Sequence, residues 1–148
     1  TKNSAVFKSD EYTIYTRLIE GKYFAYQKMF TEGEINTCAS RTALIGAMTR
    51  AKMCTEEKQP AVFQIEDDVL NISIRDKLAD YQEQVPLQET VCKSIRLGFD
   101  SRLVLETLKA FTCDNIALGF TSPRTPMIVE AEDSDMKAMV LPVAIREA

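Results

Sequence analysis

Within RLGFDSRLVLETLKAF, Arg96 to Phe111, a strand hands over to a helix. Arg96, Leu97 and Gly98 close a β-rich run and read as a strand end. Asp100 then offers a side-chain oxygen to the unpaired N–H groups of a first helical turn, which makes it an N-cap. Over 101–112, Val104, Leu108 and Phe111 recur at helical spacing with Leu105 at the edge, so one side of the helix is buried. Arg102 and Lys109 lie opposite that stripe. Leu103 lies off it and is expected at the surface.

The same order occurs once more upstream. A strand at about 34–39 leads to Ser40, a second N-cap, and a helix over 41–54 whose Leu44, Ala47, Met48, Ala51 and Cys54 form one stripe. Strands follow near 61–66, 69–76 and 79–85, with an acidic turn Glu66-Asp67-Asp68 between the first two. The strand at 90–98 and the helix at 101–112 repeat the pattern, and strands near 115–121, 125–131 and 137–144 complete it. Strand, helix and three strands, twice over, predict an α+β fold with two helices on one face of antiparallel sheet. Ahead of this unit, 5–8 and 11–18 alternate like a hairpin, which is marginal in water alone and is expected to belong to a larger sheet. The chain therefore reads as an excised fragment. The passage from Gly21 through Tyr23, Phe24, Tyr26, Met29 and Phe30 carries enough apolar surface that it should dock on something.

Charge separates the helices from the rest. The first holds Arg41, Arg50 and Lys52 with no acid, and the second holds Arg102 and Lys109 against Glu106. The helices sum to plus four while the chain carries −4, so the remainder is strongly acidic. Clustered cations attract phosphates in a sequence-independent, salt-sensitive way. A solvated face with chance charge is the competing reading. So few charges would hold DNA feebly, and many such helices around a ring would be needed.

Several chemistries lack their residues. There is no histidine, and Cys38, Cys54, Cys92 and Cys113 form no Cys-x-x-Cys pair, so zinc ligation has no ligand set. These cysteines are expected as reduced, mostly buried thiols in a cytosolic protein. No general base of the usual kind is present. The glycines at 21, 33, 46, 98 and 119 are scattered and make no phosphate cradle. Glu66-Asp67-Asp68 and Glu130-Ala131-Glu132-Asp133 could be imagined as Mg²⁺ ligands of a phosphoesterase, but solvated acids at hairpin turns are the plainer expectation. Pro123 is expected to shape a turn. No apolar run approaches the roughly 18–20 residues that span a bilayer.

Three phrases together resemble the bacterial sliding clamp, the β subunit of DNA polymerase III. They are Arg17 to Tyr26 (RLIEGKYFAY), Arg96 to Phe111, and Val140 to Val143 (VLPV). The resemblance implies that 1–31 finish the clamp's middle domain and linker, and that 32–148 form its third domain. It implies a non-catalytic processivity factor without cofactor or metal: a head-to-tail dimeric ring around duplex DNA, cytoplasmic and nucleoid-associated. Its partners would be the polymerase III α subunit, the clamp loader and repair polymerases, bound through short linear motifs. Arg41, Arg50, Lys52, Arg102 and Lys109 would face DNA. The peptide groove would take Phe24, Lys28, Met29, Asp100, Leu103, Arg124, Pro126, Val140, Leu141, Pro142 and Val143, a setting suited to an extended peptide anchored by Leu or Phe. Subunit contacts would fall near Met53 and Cys54, with this fragment alone monomeric. Phe24 stands where the family usually has proline, Leu103 where Tyr is common, and Ala144 where arginine is frequent, departures that bear on peptide preference. A clamp-like interaction module without ring function is the alternative.

Overall fold

The computed structural model describes residues 3–54, 59–75 and 80–145. Alternating β-branched and aromatic residues form β1 (Ser4–Lys8) and β2 (Thr13–Arg17), paired antiparallel from Ser4↔Arg17 to Lys8↔Thr13. Every residue of β2 is exposed, so this two-stranded sheet brings almost no core of its own. The linker then makes one 3₁₀ turn, Tyr26–Met29. Its aromatics stack on one another edge to face, Tyr23 on Tyr26 at 6.0 Å and Tyr26 on Phe30 at 6.4 Å. Tyr23 and Phe24 still face solvent. Beyond it the chain crosses the main sheet closely. A Cβ on Gly33 would sit 2.7 Å from the Phe120 nitrogen, so only glycine fits, and the Asn36 amide donates to the Gly33 carbonyl at 2.8 Å.

The main unit runs β3 (Ile35–Ser40), α1 (Arg41–Met53), β4 (Ala61–Arg75), β5 (Asp80–Phe99), α2 (Ser101–Ala110), β6 (Asn115–Phe120), β7 (Met127–Ala131) and β8 (Ser134–Val140). The sheet order is β4-β5-β3-β6-β7-β8 with every pairing antiparallel. Both helices form where expected. Ser40 accepts from the Ala43 N–H at 3.4 Å and Asp100 from the Arg102 N–H at 2.8 Å. Leu44, Ala47, Met48 and Ala51 from α1 join Val104, Leu105 and Leu108 from α2 in one core with the strands. Each such aliphatic side chain contributes roughly 1.5–3 kcal/mol when fully buried. Phe63 and Phe99 meet edge to face at 5.2 Å in the same core.

Two expectations need correction. Glu66-Asp67-Asp68 is not a hairpin turn but an irregularity inside one continuous β4, between the pairs Ile65↔Ile95 and Val69↔Pro86. Asp67 has φ 53, a left-handed conformation that Asp tolerates better than most residues, and the strand bulges instead of reversing. Likewise the strands expected at 79–85 and 90–98 are one strand, β5. It passes through Pro86, which has no N–H for the ladder, and at Leu87 pairs with Ala39 of β3. The turn expected at 76–79 lies outside the described residues. Glu132 and Asp133 do occupy the turn between β7 and β8.

Candidate functional site

The two helices pack against each other and run antiparallel. The start of α1 is tied to the segment after α2, because the Arg41 N–H donates to the Asp114 carbonyl at 2.9 Å and the Arg41 Nε to the Cys113 carbonyl at 2.7 Å. Arg50 and Lys52 therefore stand at the same end of the helix layer as Arg102, and Arg41 at the end nearer Lys109. This brings the five expected cations to one layer, but they are not equivalent. Arg41 is half-buried and holds the two helices in place. Arg50 is paired with Glu83 of β5, its Nε donating to Oε2 at 2.8 Å and a second guanidinium N–H to Oε1. Arg102 reaches back to Asp100 at 3.4 Å. Lys52 and Lys109 are exposed.

Glu83 and Tyr81 form a clip that the sequence reading missed. Both project from β5 towards α1. The Tyr81 hydroxyl lies on the Ala47 carbonyl at 2.9 Å and on Glu83 Oε2. The Arg50 bond and then the Tyr81 bond hold the Glu83 carboxyl below its ordinary range, against a smaller opposing effect of burial. Burial, followed by the bond to Glu83, pushes the Tyr81 phenol up. The only trace in the sequence is period-two alternation, which sets Tyr81 and Glu83 on one side of the strand. Nothing in it names Arg50 as their partner.

A second region lies at the other end of β5. A groove of about 440 Å³ is bounded by Arg96, Leu97 and Gly98 on one side and by Pro142 to Ile145 on the other, with Pro123 and Arg124 closing it. Gly98 makes it possible: the Val143 N–H donates to the Gly98 carbonyl at 2.8 Å, and a Cβ on Gly98 would lie 2.8 Å from the Val143 oxygen. The turn carrying Arg124 is tight. The Ser122 N–H donates to Thr125 Oγ1 at 2.9 Å and the Arg124 N–H to Ser122 Oγ at 3.3 Å, with Pro123 between them as expected of a turn residue.

Of the residues expected to form a peptide groove, Arg124, Pro142 and Val143 line this cavity. Pro126 is half-buried at the start of the next strand, and Leu141 is exposed beside Pro142. Val140 is 3% exposed and belongs to the core, so it offers no ligand surface. Asp100 and Leu103 stand at the start of α2, Leu103 half exposed. Burial works against the Asp100 carboxylate, but the N–H groups of Arg102 and Leu103 and the Arg102 guanidinium outweigh it and hold the pKa below the ordinary range. Phe24, Lys28 and Met29 lie on the linker. Arg96, Leu97, Gly98, Pro123, Ala144 and Ile145 were not singled out for the groove. Alternation in β5 puts Arg96 outward between inward Ile95 and Leu97, which is the signal that could have found it.

Met53 is 81% exposed, and Cys54 is half-buried at the end of α1. All four cysteines are free, and none is fully buried, contrary to expectation: Cys92 points outward from β5 and the others are half-buried. Burial, then Glu89 and Glu132, pushes the Cys38 thiol up, away from reactivity. Among the described residues, no three acids or cysteines gather around a common point that could hold a metal ion. No helix among them is long and apolar enough to cross a membrane.

Residues 30–144 match the family described as the DNA polymerase III beta subunit, C-terminal domain. The chain belongs to this family. It is 25% identical over 140 residues to the beta sliding clamp of Halalkalibacterium halodurans, covering 91% of this chain and 37% of that protein. It is 25% identical over 146 residues to the beta sliding clamp of Staphylococcus aureus strain Mu50, covering 95% and 39%. The chain thus spans well under half the length of these family members. Among solved structures, a DNA polymerase sliding clamp from Pseudomonas aeruginosa superposes with TM-score 0.88 at 19% identity, over 98% of this chain and 40% of that one. One from Caulobacter crescentus gives 0.89 at 14%, with the same coverages. At such identities these two likenesses establish the fold, and the family's two-helix clamp architecture is the one described above.

Proposed function

We propose that this chain is the C-terminal part of a sliding clamp, the processivity factor of a bacterial replicative DNA polymerase. Residues 1–31 finish a preceding middle domain and 32–148 form the third domain of a dimeric ring around duplex DNA in the cytoplasm, at the nucleoid. The observation that carries this reading is the antiparallel helix pair with its cations on one layer of an otherwise acidic domain. Topology supplies retention in a ring, so the contacts need only be weak and non-specific. Arg41, Arg50, Lys52, Arg102 and Lys109 set the local potential for phosphates. Met53, exposed beside Cys54, belongs to the subunit contact. The polymerase α subunit, the clamp loader and repair polymerases bind as extended peptides along the Leu103 and Pro142 surfaces. The protein is an accessory subunit with no reaction and no cofactor of its own.

The test is DNA retention by the full-length protein with Arg50→Glu and Arg102→Glu combined. Retention is expected to fall on the order of ten-fold at low salt, with a shallower salt dependence. Binding of a blocked Leu/Phe-containing peptide should be unchanged. Leu103→Asp should do the reverse, abolishing peptide binding and sparing DNA. One observation favours a second reading, a clamp-like interaction module without ring function: Arg50 is neutralised by Glu83. Unchanged DNA retention in the double variant would select it.

A further inference from the structure

The groove at Pro142 to Ile145 has an electrostatic character opposite to that of the molecule. The chain carries −4 overall, yet the two charged side chains that line this groove are both arginines, Arg96 and Arg124, and no acid lines it among the described residues. The remaining walls are almost wholly apolar, made by Leu97, Pro123, Pro142 and Val143. Arg124 is presented rigidly. Its backbone is fixed by the Ser122–Thr125 turn while its side chain is exposed. Arg96 comes from the opposite wall, a strand anchored by buried neighbours on both sides. Ala144 keeps the space between the walls free of a long side chain.

We propose that this groove selects peptide ligands carrying an acidic side chain, whose carboxylate is taken by Arg124 with Arg96 on the facing wall. The inference rests on the peptide-binding reading above and deepens it by naming what the peptide must contain. A guanidinium offers a planar fork of N–H donors that matches a carboxylate, and at the rim of an apolar cleft such a bond is stronger than in open water. The apolar walls favour a peptide over a nucleic-acid phosphate, because a phosphodiester gains nothing from Leu97, Pro142 or Val143. A lysine-bearing ligand would be repelled from both sides.

Fluorescence anisotropy on the full-length protein tests this with two labelled, blocked peptides, Leu-Glu-Leu-Phe and its isostere Leu-Gln-Leu-Phe. The Glu peptide is expected to bind about ten-fold more tightly at low salt, the difference shrinking as salt rises. Arg124→Ala should bring the two peptides to within about two-fold, and Arg124→Glu should favour a Lys-containing third peptide. Equal affinity of the Glu and Gln peptides in the unaltered protein overturns the inference while leaving the peptide-binding reading intact. So does a Glu preference that survives both Arg124→Ala and Arg96→Ala. If neither peptide binds, and Leu103→Asp changes nothing, both fall together. Displacement of the Glu peptide by a short DNA duplex would assign the arginines to phosphate and also overturns it. An unchanged circular dichroism spectrum in each variant excludes misfolding as the cause.

Discussion

Asp100 occupies a place where capping and ligand binding compete for one carboxylate. It was expected in the peptide groove, yet one oxygen receives the Arg102 N–H at 2.8 Å and the other faces the Arg102 guanidinium at 3.4 Å. Its first duty is to start α2. Asp100→Ala should therefore cost about 1 kcal/mol in a urea titration. Because the folded-state pKa is depressed, the stabilisation is present above the unfolded carboxylate pKa and is lost as pH falls through the folded value. The destabilisation by Asp100→Ala should thus shrink progressively below about pH 4, where the parent carboxylate is itself protonated. A loss independent of pH would mean that the side chain stabilises the helix by packing alone. Leu103, three residues on, is a simpler case: half exposed on a helix whose other large apolar residues are buried, it is available to a partner without disturbing the core.

At the scale of elements, the clip between β5 and α1 decides how much positive charge the helix layer shows. Arg50 has its charge opposed by Glu83, which the Tyr81 hydroxyl also engages. Glu83→Gln should leave the helix in place, since Tyr81 still reaches the Ala47 carbonyl, and should lower stability by less than about 1 kcal/mol, as for other exposed ion pairs. The Glu83 pKa is also depressed, so this loss should appear above the unfolded carboxylate pKa and fade as pH drops through the folded value. DNA retention by the full-length protein should rise, because Arg50 is then uncompensated. A fall in retention would show that Glu83 orients Arg50 productively.

The elements also show what could be read in advance. Both helices were legible, because cap, apolar stripe and length agree in each. The break expected at Glu66-Asp67-Asp68 was wrong because three successive acids mark a turn and an exposed bulge equally well, and only the pairing of Ile65 with Ile95 and Val69 with Pro86 distinguishes them. Pro86 misled in the same direction, since proline usually ends a strand and here sits where the ladder is already interrupted. The Arg50–Glu83 pairing was not legible at all: the two residues belong to different elements, and charge patterning within each says nothing of the other. Arg124 was found through the resemblance, whereas Arg96, on the same groove, needed the geometry.

Stability in the whole molecule should be divided unevenly. All the large side chains of the β1–β2 hairpin are substantially exposed, whereas β3 to β8 and both helices share one core. Hydrogen exchange on the 148-residue chain should find the hairpin amides exchanging through local opening, and those of β3, β6 and the buried stretches of β4 and β5 only through global unfolding. Comparable protection in the two regions would mean that the hairpin draws stability from contacts with the main unit. In a longer chain carrying the rest of the hairpin's sheet, the protection of Val6, Phe7, Ile14 and Tyr15 is expected to rise to that of the core.

One consequence remains in the long pair formed by β4 and β5. The pairs Arg75↔Asp80 and Ala61↔Phe99 lie at opposite ends of a single ladder, so the first half of the duplicated pattern ends and the second begins within the same strand. Neither half owns a border that could be cut. The duplication visible in the element order is therefore a matter of ancestry and symmetry only. Mechanically the domain is indivisible: it should melt in one transition, and neither copy can be exchanged, deleted or expressed apart from its twin.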